Sequence, residues 1–183
     1  QAKGAVVRGL SQTDIKARKI LANNIEWGSL DQFKGNNSVV LGYRMAQKLN
    51  LKINEKILLI SPKGDVTAFG TVPRMKSYNV VGIFNIGMHE YDSSFIFMPL
   101  KAAQIYFKYP EAISYLDITI KEPHQASVMA IKISDSIRNS GRIFDWQHSN
   151  ASFFNAIQVE RNVMFLILTL IIIVAAFNII SSL

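Results

Sequence analysis

The chain has 183 residues, with 20 Lys and Arg against 13 Asp and Glu, giving a formal net charge of +7. Hydrophobic residues make up 49% and charged residues 18%, below the roughly 25% charge of an ordinary soluble domain. No charged side chain occurs from Asn162 to Leu183, and no cysteine occurs anywhere, which excludes a disordered chain, a disulfide scaffold and a wholly soluble protein.

In chain order, Ala5–Leu10 is an apolar run expected to form a strand. Ser11 can cap a following helix through Asn23, with Ile15, Ile20 and Leu21 at helical spacing and Lys16, Arg18 and Lys19 on a solvated face. Trp27–Leu30 and Lys34–Asn37 carry loop signals. Ser38–Gly42 reads as a strand and Tyr43–Leu49 as a short helix. The continuous run Ile57–Ile60 suits a strand covered on both faces, and Pro62–Asp65 suits a turn. Extended stretches are expected over Ser77–Phe84 and Phe95–Met98, with a turn or two of helix at Leu100–Tyr106.

Tyr115–Ile120 alternates with period two and predicts a strand. His124–Asn139 predicts a helix ended by Ser140-Gly141, and Arg142–Trp146 a further strand. Residues 113–146 then form a βαβ unit of the split kind. A last helix is expected from Asn150, unbroken by Pro or Gly, with Phe153, Phe154 and Ile157 on one side. It continues into Val163–Leu183, whose 21 residues include four polar ones, Thr169, Asn178, Ser181 and Ser182. Twenty-one helical residues span about 31 Å, close to the hydrocarbon thickness of a bilayer. Val163, Phe165, Ile172 and Phe177 lie all around this helix rather than along one stripe, so it reads as a membrane span. The fold class is α+β: a mixed α/β domain followed by a transmembrane helix. The chain opens on Gln1 without an initiator Met or leader and is expected to be a segment of a larger membrane protein.

Chemistry-bearing patterns are sparse. His89, His124 and His148 are far apart, and His89-Glu90-Tyr91-Asp92 reads as a solvated loop rather than a metal site. There is no GxxxxGK[ST], no GxGxxG between strand and helix and no GxSxG. Asp117, Asp135 and Asp145 are isolated carboxylates suited to turns, caps and the surface. No catalytic residue, metal or cofactor is expected. The Lys and Arg residues are scattered and form no basic stripe, so anionic head groups or an acidic protein suit this chain better than nucleic acid. The most informative stretch is Val66–Met75. Phe69, Val72 and Met75 are apolar, while Gly70, Pro73, Arg74 and Lys76 suit a stiff projecting loop. Two readings stay open: an ordinary hairpin burying these side chains in its own core, or an exposed anchor that enters a partner's groove.

Phe153–Met164 with Val174–Leu183 strongly resembles the second membrane helix of the LolC/LolE lipoprotein-releasing permeases. Thr67–Pro73 followed by Tyr78–Phe84 is similar to the region that carries a protruding hook in LolC, with Ala68 where a Pro is frequent. Gly87–Leu100 with Ala103-Gln104 looks nearer to LolE. The resemblance implies a permease subunit of an ABC transporter in the bacterial inner membrane, with its soluble part in the periplasm and no enzymatic activity of its own. It implies a LolD-type ATPase, a second permease subunit, an acylated lipoprotein substrate and a LolA-type chaperone as partners. It also implies a two-part periplasmic domain. Residues 1–35 and 113–150 would be Porter-like, 36–112 a strand-rich Sabre-like insertion with the hook loop at 62–76, and 151–183 the stalk and membrane helix. By the same resemblance Thr67, Ala68, Phe69, Gly70, Val72, Pro73, Arg74 and Met75 contact the chaperone. The span positions are Val163, Phe165, Ile172, Phe177 and Asn178. The alternatives are a MacB-like efflux permease and a single-span receptor or anchor.

The span reading has a direct test. Ile172→Arg places a charge near mid-span and should cost roughly 2.5–3.5 kcal/mol of insertion free energy. Glycosylation mapping should show a clear loss of integration; integration equal to the parent sequence would refute the span.

Overall fold

The computed structural model describes residues 2–67, 70–138 and 141–182. The chain divides into two compact units, residues 1–116 and 117–183. The first contains a six-stranded mixed sheet of β1 (Val6–Leu10), β2 (Ile25–Gly28), β3 (Ser38–Gly42), β4 (Lys56–Thr67), β5 (Gly70–Phe84) and β6 (Phe95–Pro99). Its order is β1-β6-β3-β5-β2, with β4 paired to β5 off this path. β1 with β6 and β3 with β5 are parallel; the remaining pairs are antiparallel. The mixed α/β class expected from the sequence is what the chain adopts.

The elements follow local chemistry closely at several points. Ser11 accepts a hydrogen bond from Asp14 N at 3.0 Å and caps α1 (Gln12–Ala17). The expected single helix is instead two, because the chain breaks at Arg18 before α2 (Lys19–Ala22). Ile15 and Leu21 are six positions apart, so one continuous helix would point them about 120° from each other. The break lets both be buried and leaves Ile20 exposed. Trp27 and Gly28, read as a loop, lie in β2, where Trp27 stacks on Tyr43 at 5.3 Å. α3 (Tyr43–Leu49) and α5 (Leu100–Phe107) form where expected. Their residues Met45, Ala46, Ala102, Ala103 and Tyr106 join Val39, Leu41, Val80 and Ile96 of the sheet in one core cluster. A second cluster holds Ile15, Leu21, Phe33, Val40, Phe84 and Phe97.

The His89–Asp92 stretch is not a solvated loop. It opens α4 (His89–Ser94), where Asp92 is completely buried. The Asp92 carboxylate accepts from Ile86 N at 2.9 Å and Gly87 N at 3.1 Å, which fixes the turn after β5. A buried carboxylate is tolerated because two backbone donors replace its water.

The Ile57–Ile60 run is not covered on both faces. Ile57 and Leu59 are buried, whereas Leu58 and Ile60 are more than half exposed. Continuous apolarity here marks one buried face and one bare one.

In the second unit, α6 (Ala126–Ser136) forms as expected, preceded by a 3-10 turn over Pro123–Gln125. α6 ends at Ser136, short of the expected Asn139, where Ile137 is the C-cap and Arg138 takes a left-handed φ of 50; Asn139 and Ser140 lie outside the described residues. Neither expected flanking strand forms: Tyr115–Ile120 and Arg142–Trp146 have no ladder partner among the described residues. Alternation shows which face a strand would bury, but a strand also needs a neighbour to satisfy its backbone. Leu116 and Ile118 are accordingly 76% and 61% exposed. Trp146 starts a short helix, α7 (Trp146–Ser149), capped by Asp145 through His148 N at 2.7 Å. The Trp146 indole donates to the Pro123 carbonyl at 3.1 Å and packs edge-on to Phe154. α8 (Ala151–Ser182) runs 32 residues, about 48 Å, without interruption.

Tyr78 is fully buried in the first core, edge-on to Tyr106 with ring centroids 5.9 Å apart. Its hydroxyl has no hydrogen-bond partner among the described residues. Burial, helped by the neighbouring Tyr106, pushes its pKa up to about 12. Between the ordinary tyrosine value and about 12, the unfolded chain has lost this proton while the folded chain keeps it. Stability therefore falls as pH rises through that window, by at most about 1.4 kcal/mol per pH unit. Tyr78→Phe should reduce this alkaline slope and cost little at neutral pH, since no hydrogen bond is lost. Urea midpoints at neutral and alkaline pH check it; an unchanged slope would show that Tyr78 is ionised at its ordinary pH.

Candidate functional site: the long hairpin and the apolar helix

β4 and β5 together make a hairpin whose outer half extends past the sheet. Along β5, residues from Asn79 to Phe84 pair with β3 on one side, whereas Gly70 to Ser77 pair with β4 alone. The Pro62–Asp65 stretch expected as the turn lies inside β4. There the register passes from Ser61↔Arg74 to Asp65↔Val72, so β4 holds two more residues than β5 across this bulge. Gly64 makes the bulge possible: a Cβ on it would lie 1.6 Å from the Val72 carbonyl oxygen. The strands continue to a last pair, Thr67↔Gly70. A stretch expected as a loop over 62–76 is thus mostly paired strand, stiffened by cross-strand hydrogen bonds rather than by proline alone.

The predicted site residues fall along this outer half. Thr67 ends β4 and Gly70, with φ +116, begins β5. That left-handed φ suits glycine. Val72 is 53% and Met75 60% exposed, and Pro73 is also exposed, so these residues do not fill a core of the hairpin's own. Ala68 and Phe69 lie outside the described residues. Arg74 and Lys76 do not reach outward together. The Arg74 guanidinium donates to the Tyr106 carbonyl, and the Tyr106 hydroxyl donates back to the Arg74 carbonyl at 3.3 Å. Lys76 Nζ donates to the Asn36 carbonyl at 3.1 Å and sits 5.0 Å from the Tyr78 ring centroid. Both cations therefore tie the hairpin's base to the body. An exposed cation farther out is Lys63 in the bulge, which the sequence reading did not single out.

Cross-strand pairing also sets Ile60 opposite Met75, both about 60% exposed. Leu58 lies two residues along the same face. The strand pattern could have shown this, since alternate residues of a strand share a face; the expectation of a doubly buried run concealed it.

Among the described residues, no three or more His, Cys, Asp or Glu gather as a metal site. The predicted span positions Val163, Phe165, Ile172, Phe177 and Asn178 all lie on α8 and are all exposed. α8 is long and apolar enough to cross a membrane, with none of its most apolar window buried against protein.

Residues 2–136 match the family described as the MacB-like periplasmic core domain. The chain is 32% identical to the lipoprotein-releasing system transmembrane protein LolC of Neisseria meningitidis, over 99% of this chain and 44% of that protein. It is 26% identical to LolC of Xylella fastidiosa, over 97% of this chain and 43% of the relative. A third relative, the lipoprotein-releasing system transmembrane protein LolE of Haemophilus influenzae, is 25% identical over 97% of this chain and 42% of its own length. The chain thus spans less than half the length of these relatives. With a family match over residues 2–136 and LolC- and LolE-type relatives aligned along nearly all of its length, the chain belongs to the family of the MacB-like periplasmic core domain.

Proposed function

We propose that this chain is part of a permease subunit of an ABC transporter that extracts lipoproteins from the bacterial inner membrane and hands them to a periplasmic LolA-type chaperone. The observation that carries this reading is an alignment with LolC over 99% of the chain, hairpin and apolar helix included. ATP hydrolysis belongs to a separate LolD-type subunit, and a second permease subunit completes the transporter. α8 anchors the chain in the inner membrane, and the mixed α/β domain stands in the periplasm. The two-part division belongs to this proposal. Residues 36–112 make the strand-rich part and 113–150 the return. The pairing of β1 with β6 and β2 with β5 draws residues 1–35 toward the strand-rich part. A MacB-like efflux permease draws on the same family match; the long outer hairpin favours the lipoprotein reading.

In this reading the hairpin end is the chaperone's docking point. Val72 and Met75 offer exposed apolar surface on a paired, preorganised element, and Phe69 directly precedes Gly70 in the sequence. A rigid scaffold lowers the ordering cost of binding, so few side chains suffice. Arg74 belongs to the hairpin's clamp on α5, so its charge reversal should lower stability as well as binding. Phe69→Ala should cost about 2 kcal/mol or more, near 30-fold in chaperone affinity, with no change in melting temperature. A Val72→Ser, Met75→Ser double variant should act in the same direction. Both quantities are to be measured on the same purified proteins. Full affinity, or affinity lost only in step with stability, would overturn the docking role.

A further inference from the structure

A groove of about 720 Å³ opens on the first unit, away from the hairpin's tip. Two runs of consecutive residues line it: Ala2–Ala5, before β1, and Lys56–Pro62 of β4. Consecutive residues on one wall mean that the groove follows backbone, not one side-chain face. Met45, Leu49, Ile57, Leu59, Tyr106 and Phe107 also line it and make it apolar. β4 is an edge: it pairs with β5, and its other side has no strand among the described residues. An open edge presents unpaired N–H and C=O groups that can template another strand.

The usable edge has a defined length. It begins at Lys56 and ends where Pro62 removes a donor and the bulge turns the strand, leaving about six residues or roughly 20 Å. The groove's lining stops at the same residue, Pro62. Among the described residues of the lining, Lys3 and Lys56 carry charge and none is a carboxylate. Leu58 and Ile60, on the bare face of the same edge, add exposed apolar surface.

We infer that this groove binds an extended peptide segment, about six residues long and alternating apolar with acidic side chains, which adds as a strand to the free edge of β4. Main-chain hydrogen bonds to Lys56–Ile60 hold the peptide, apolar side chains enter the groove, and Lys3 and Lys56 select carboxylates. This site is separate from the hairpin tip and does not depend on the chaperone reading. A peptide held there leaves the tip free.

The test uses the full chain in lipid nanodiscs and a fluorescein-labelled, end-blocked hexapeptide alternating Val and Glu. Anisotropy should show saturable binding. A Val/Lys peptide should bind at least tenfold more weakly, and so should a Val/Glu peptide N-methylated at alternate amides, because only strand addition needs those N–H groups. Lys56→Glu lies at an exposed position and should lower Val/Glu binding tenfold or more while improving Val/Lys binding. Equal binding of the N-methylated peptide, equal binding of both charges, or no binding at millimolar peptide would overturn the proposal. Two other occupants are read in the same experiment. Displacement of a fluorescent fatty acid from the groove, with no peptide binding, would assign it to an acyl chain. Concentration-dependent dimerisation lost in Lys56→Glu, with no peptide binding, would assign it to a second copy of this chain.

Discussion

The architecture depends on β5, a single strand of 15 residues that serves two environments. Its second half is wedged in the sheet, where Val80, Val81, Ile83 and Phe84 are buried. Its first half runs out as one arm of the hairpin, where Thr71, Val72 and Pro73 are exposed. Because a strand cannot bend freely without breaking its ladder, the buried half fixes the direction of the exposed half. The reciprocal bonds between Arg74 and Tyr106 add a second point of support where the strand leaves the core. The hairpin is therefore an extension of the core sheet rather than a loop attached to it.

Charge is distributed with equal asymmetry. Residues 1–116 hold 15 of the 20 Lys and Arg and eight of the 13 Asp and Glu, so the whole net charge of +7 resides in the first unit. The second unit carries five of each sign. Lys16, 2.6 Å from Asp31, holds that exposed carboxyl below its usual pKa. A positive sheet domain attracts acidic proteins and anionic lipid head groups, an attraction that salt weakens. The β4 edge, the bulge and the hairpin share this field.

The second unit follows a different economy. Its short helices are held by polar links such as Ser127 Oγ to Gln147 Oε1 at 2.8 Å and the Trp146 indole to Pro123. Trp146, Phe153 and Phe154 form an aromatic group at the start of α8. From there the helix continues with exposed apolar residues on every side, as suits a lipid solvent rather than a protein core. Thr169 satisfies its hydroxyl by donating to the Phe165 carbonyl at 2.9 Å, which removes one polar cost within the apolar run.

What the sequence determined by itself was whatever local chemistry decides. The Ser11 cap, the helix at Tyr43–Leu49 and the uncharged run of α8 need no distant partner to be legible, and the hairpin residues drew notice through their mixture of apolar and turn-forming types. Tertiary structure decided the matters that depend on neighbours. Tyr115–Ile120 has the alternation of a strand yet lies unpaired among the described residues, because alternation specifies a face and not a partner. Ile57–Ile60 is as apolar as a doubly buried strand, but β4 lies at an edge, where one face stays bare. Asp92 looks like a surface carboxylate until two backbone amides six and five residues upstream close around it. Arg74 and Lys76 read as outward cations until the carbonyls of Tyr106 and Asn36, 32 and 40 residues distant in the chain, draw them back. In each case the deciding group is remote in sequence, and only folding brings it within hydrogen-bond or van der Waals reach.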